Sequence, residues 1–135
     1  MNLTAQPRPV STSRLWAGRI LTTVPILFLI FDSVIKLIKI DPVVDSFNQL
    51  GYSPDLSVTI ALVEAVCLVL YSVPRTSVLG AVLLTGYLGG AVATHLRIGS
   101  PLPSHTLFPI YVGALLWAGL FLREDRLWAV MPARK

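Results

Sequence analysis

The segment Trp16–Ile38, WAGRILTTVPILFLIFDSVIKLI, decides the fold class. A helical bilayer span needs about 20 mostly apolar residues, and this segment supplies them before Asp32 and Lys36 interrupt its far end. A cleaved signal peptide is the rival reading, because Arg8, Arg14 and Arg19 lie before or just within the run. A signal core is short and ends in small residues. This one runs on into charged positions with no small-x-small site, so it is read as a span of the mature protein.

Outward from that segment the pattern repeats. Ser57–Val73, Thr76–Leu96 and Leu107–Leu122 are further apolar runs, separated by Pro42, Gly51-Tyr52-Ser53-Pro54, Pro74 and Gly99-Ser100-Pro101-Leu102-Pro103. Proline and glycine at those places end helices and turn the chain. Of the 135 residues 54% are hydrophobic and 13% charged, about half the charged share of an ordinary soluble domain, roughly 25%. The expected fold is all-α, an integral-membrane bundle of four transmembrane helices over residues 14–128. Residues 1–13, rich in Pro, Ser and Thr, read as a flexible tail, and residues 129–135 as a basic one.

The net charge of +4 reports orientation. With four spans, Arg8, Arg14, Arg19, Arg75, Arg123, Arg126, Arg134 and Lys135 share one side, against Lys36, Lys39 and Arg97 on the other. Basic residues accumulate on the cytoplasmic side of a membrane. Both termini are therefore expected in the cytoplasm, and nucleic acid is not an expected partner.

In the first outer loop, Asp41-Pro42-Val43-Val44-Asp45-Ser46-Phe47-Asn48-Gln49-Leu50-Gly51 reads as a short interfacial helix over the bundle. Asp41 is a suitable N-cap, Pro42 suits the first helical position, and Gly51 suits the stop. Val43, Phe47 and Leu50 fall on one face. An irregular loop is the alternative, since so short a helix is marginal alone.

The charges in the apolar runs are the candidate site. Asp32 and Lys36 are spaced i,i+4 and can pair on one helix face. Glu64 lies halfway along the second span, on a face with Ser57, Ala61, Cys67 and Tyr71, and its nine Val, Leu and Ile residues carry the span despite it. His95 and Arg97 close the third. Asp32, Lys36, Glu64, His95 and Arg97 thus form a candidate polar cluster in the outer half of the membrane, because intramembrane ionisable groups are functional candidates by default. The plainer reading also stands: an intrahelical pair, with Lys36 and Arg97 snorkelling to headgroups. Glu64 is the residue on which the functional reading rests.

Tyr71, Tyr87, Tyr111 and Trp117 are candidates to line a cavity or fill the core, while Trp16, Trp128 and Tyr52 suit the interfaces. Gly86 and Gly90 make a small-x-x-x-small face suited to close helix approach. The single cysteine, Cys67, excludes a structural disulfide or a CxxC pair within one chain. Two histidines without HExxH spacing give no zinc-site signature, and neither a P-loop nor a dinucleotide fingerprint occurs. No metal and no covalently bound cofactor are expected.

The pieces Asp32–Leu37 (DSVIKL), Gly51–Pro54 (GYSP), Ala61–Leu102 (ALVEAVCLVLYSVPRTSVLGAVLLTGYLGGAVATHLRIGSPL) and Trp117–Leu127 (WAGLFLREDRL), in that order, resemble the DoxX-like family of small bacterial four-helix membrane proteins. Lys36, Glu64 and His95 match the lysine, glutamate and histidine of such sequences. The resemblance implies a multi-pass protein of the bacterial plasma (inner) membrane. The relatives that give the family its name are linked to quinone-dependent thiosulfate oxidation, and others to membrane oxidoreductase assemblies. Two functions follow as expectations. One is a subunit or accessory protein of a membrane redox system, binding a quinone or similar lipophilic molecule. The other is a non-enzymatic protein, a small-solute or proton pathway or an assembly factor.

Overall fold

Ser11 starts the first helix: its side chain accepts the Arg14 backbone N–H at 3.3 Å, satisfying one of the free donors of the first turn. The computed structural model describes residues 11–130, and its regular structure is helical throughout. Helix α1, Thr12–Leu37, carries Gly18, Thr22, Pro25, Leu29 and Ser33 on its buried face. Ile20, Val24, Leu27 and Phe31 on the other side are more than half exposed. Large aliphatic side chains outside and small ones inside are what a helix in lipid requires, where tails are as apolar as leucine and packing rewards close backbones.

Helix α2, Asp41–Leu50, lies between α1 and α3, Leu56–Ser72. Then come α4, Ser77–Arg97, a single π-helical turn at Leu102–Thr106, α5, Phe108–Arg123, and the one-turn α6, Arg126–Val130. The four long helices pack in a ring in which α1 touches α3 and α5, and α4 touches the same two. Leu29, Leu68, Tyr71, Leu84, Leu116 and Leu120 fill the middle. Thr12–Leu37, Ser77–Arg97 and Leu102–Arg123 are long and apolar enough to cross a membrane. At 17 residues, α3 meets the lower limit of about 17 to 25 for a span.

Glycine sets the closest contacts. A Cβ at Gly18 would stand 2.6 Å from Arg123 Cγ and 3.0 Å from the Gly119 carbonyl, where α1 meets α5. One at Gly80 would fall on the Tyr71 backbone, where α3 turns into α4. Gly86 and Gly90, expected to pack helices, have nothing within 4 Å of an added Cβ. They border a cavity instead.

The element ends differ from expectation by a few residues. The chain becomes helical at Thr12, within the expected tail, and α6 includes Ala129 and Val130; the rest of both tails, with Arg8, Arg134 and Lys135, lies outside the described residues. The N-cap of α2 is Ile40, so Asp41 is already helical, while Gly51 closes the helix at φ 77°. The Gly51 and Tyr52 amides bond back to Asn48 and Phe47, satisfying the last carbonyls. Val43 and Phe47 are buried beneath α2, which covers one end of the bundle.

Candidate functional site

Side chains on a helix tilt toward its N-terminus, so Lys36, one residue from the end of α1, reaches back into the bundle. Its ammonium donates to Asp32 one turn earlier, to Glu64 Oε2 on α3 at 3.0 Å and to the Tyr87 hydroxyl on α4 at 2.8 Å. Tyr87 in turn donates to Glu64 Oε2 at 2.8 Å. Three helices are thereby joined by one network, in which all three ammonium hydrogens and the phenol hydrogen are used. Ser57, buried at the start of α3, donates to the Lys36 carbonyl at 3.0 Å and fixes the height of α3 against α1.

Glu64 is fully enclosed, at 0% exposure, and its Oε1 has no hydrogen-bond partner. Lys36 and Asp32 are 14% and 27% exposed. The network therefore runs from a closed interior to an open surface, and that surface is the wall of a cavity of about 520 Å³. Its lining comes from Phe28, Leu29, Asp32 and Lys36 of α1, Ser46, Phe47 and Leu50 of α2, and Gly86, Tyr87, Gly90, Thr94 and His95 of α4. Leu88 and Ala91 of α4, with Tyr52, Ile60, Phe108 and Pro109, complete the walls. The chain of hydrogen bonds from Asp32 through Lys36 and Tyr87 to Glu64 can pass or hold a proton, and the apolar walls can take a hydrophobic body.

The other candidates are spread around this centre. His95 borders the cavity but its Nδ1 lies 3.0 Å from Ser100 Oγ, apart from the network. Arg97 turns away: it donates to the Leu50 carbonyl at the end of α2 and lies 5.7 Å from the Tyr52 ring centre. Of the four aromatic candidates Tyr87 lines the cavity. Tyr71 is enclosed in the core and donates to the Leu116 carbonyl at 2.6 Å. Trp117 donates to Thr85 at 2.8 Å, tying α5 to α4, and Tyr111 is half exposed. Tyr52, expected at an interface, is bonded to Thr94 at 3.1 Å over the cavity. Phe47, read in the sequence only as part of the apolar face of α2, also lines the cavity, and Phe28 and Phe108 were not singled out, although Phe28 stands one turn before Asp32 on the same face. Among the described residues no group of His, Cys, Asp and Glu is arranged to hold a metal ion.

A sequence model described as the DoxX-like family matches residues 20–119, most of the chain and every residue of the network. The chain belongs to the DoxX-like family. Searches of curated proteins and of solved structures gave no match. This DoxX-like chain is thus a multi-pass helical membrane protein, and its matched segment begins in α1 and ends at Gly119, where α5 meets α1.

Proposed function

We propose that this membrane protein binds a small lipophilic molecule, a quinone or a compound of similar size and character, in the cavity beside Asp32, Lys36 and Tyr87. In this reading it serves as a subunit or accessory protein of a membrane redox system. The cavity opens toward the outer face of the bacterial plasma membrane, and both termini are cytoplasmic. The observation that carries the reading is a cavity of about 520 Å³, inside the usual range of roughly 300 to 1,000 Å³ for small-molecule sites. Like such sites it joins apolar and aromatic walls to a few convergent polar groups.

A proton pathway through the bundle is the weaker reading. Beyond Glu64 the core is filled by Cys67, Leu68, Tyr71, Leu84 and Leu116, with the Tyr71 hydroxyl taken up by the Leu116 carbonyl, and Glu64 Oε1 has no onward partner among the described residues. The polar chain ends there, which suits a site better than a conduit.

The test is purification in mild detergent followed by extraction and redox difference spectroscopy, with titration of a short-chain quinone into the delipidated protein. Saturable binding, weakened by Gly90→Leu, is expected. A folded protein that neither retains nor binds quinone would sink this assignment.

A further inference from the structure

Charge balance narrows what the cavity accepts. Two carboxylates, Asp32 and Glu64, share the single ammonium of Lys36. Among the described residues no further cation reaches them: Arg97 is held at the Leu50 carbonyl, and Tyr87 and His95 of α4 are the other titratable groups on that side, with Tyr52 above and the Cys67 thiol one turn along α3 from Glu64. Neither α2 nor α5 adds a charged group to the wall. With both carboxylates ionised the network would hold one uncompensated negative charge away from bulk water, where such a charge is costly. One positive charge beyond that of Lys36 is needed.

The cavity offers a place for it. Asp32 gives one oxygen to Lys36, while its Oδ1 takes no hydrogen bond from any described residue. Two aromatic pairs line the same cavity, Phe28 with Phe108 at 5.1 Å and Phe47 with Tyr52 at 6.3 Å between ring centres. Aromatic faces attract organic cations, most strongly where water is excluded.

We infer that the cavity takes a lipophilic monocation, an amine or quaternary ammonium with an apolar body, in exchange for one proton held by the Asp32–Lys36–Glu64–Tyr87 network. The exchange balances: the cation enters, one proton leaves to solvent, and the charge of the site is unchanged. This rests on the reading of the cavity as a site for a lipophilic molecule and adds its charge class. A neutral quinone binds beside the protonated network, so the two ligands compete and respond to pH in opposite senses.

The experiment is calorimetric titration of the full chain in lipid nanodiscs with benzyltrimethylammonium, whose charge does not titrate, and with 2,3-dimethoxy-5,6-dimethylbenzoquinone as the neutral probe. Repeating the titration in buffers of different ionisation enthalpy counts the protons released. The expected result is up to one proton released per cation bound, and an affinity rising as much as tenfold per pH unit while the network is protonated. Glu64→Gln, checked for intact helix content, should abolish both the proton release and the pH dependence. Asp32→Asn makes the same change of charge at a position 27% exposed; should the first variant not fold, it is expected to lose cation binding while keeping quinone binding. Quinone binding without cation binding, or cation binding with no proton released, overturns this inference and leaves the cavity assignment standing. Failure of both probes overturns both.

Discussion

Lys36 is the hinge of the network, and removing it is expected to cost more than removing either acid. Lys36→Met would leave Asp32 and Glu64 facing each other with no cation between them, a loss of about 3 to 5 kcal/mol by the usual cost of breaking a buried pair. Glu64→Gln leaves the Asp32–Lys36 pair intact and should cost much less. Tyr87→Phe withdraws a donor from Glu64 and an acceptor from Lys36, worth roughly 1 to 3 kcal/mol. Denaturant unfolding in one detergent ranks the three, and equal losses for Lys36→Met and Glu64→Gln would contradict the geometry. Outside the membrane segments, Lys39 lies 2.7 Å from Asp55 and holds that carboxyl below its ordinary range. Such a pair contributes above the ordinary aspartate pKa, and its contribution disappears as pH falls through the lowered one. Because Asp55 is almost wholly exposed, Lys39→Ala should return its titration, read by NMR, to ordinary values without a measurable change in unfolding. The sequence made Asp32, Lys36 and Glu64 legible through i,i+4 spacing and depth in apolar runs. It did not show that Lys36 reaches inward or that Arg97 serves α2, because a long cation near a helix end can snorkel either way.

At the scale of helices, the existence of each element was easier to read than the face it presents. A soluble helix betrays its buried side by amphipathic contrast, but in lipid both sides of α3, α4 and α5 are apolar and the contrast fades. Small residues were the remaining clue, and they divide into two kinds that sequence alone does not separate. Gly18, Gly80 and Gly119 admit a neighbouring backbone, whereas Gly86 and Gly90 leave space. Gly119→Val should therefore force α1 from α5 and cost about 1 to 3 kcal/mol or more. Gly86→Ala should be neutral or stabilise by up to about 1 kcal/mol through helix propensity, while narrowing the cavity and weakening its ligand. Unfolding and ligand titration on the same two proteins check the contrast, and a Gly86→Ala variant as unstable as Gly119→Val would show that α4 packs differently.

For the whole molecule the charge asymmetry makes a prediction about orientation. A reporter fused after Lys135 should be active in the cytoplasm, and one inserted between Asp41 and Asp55 should report the opposite compartment. Agreement between the two would rule out an even number of crossings. The architecture also has a consequence in time. Helix α2 covers the cavity, and Arg97 ties its last carbonyl to α4 while lying against Tyr52, which bonds to Thr94. In the proposed reading this small clasp slows passage of a ligand past α2, and so acts on residence time more than on equilibrium affinity. Arg97→Gln should speed association and dissociation together, leaving their ratio nearly constant, so that stopped-flow traces change where titration curves do not.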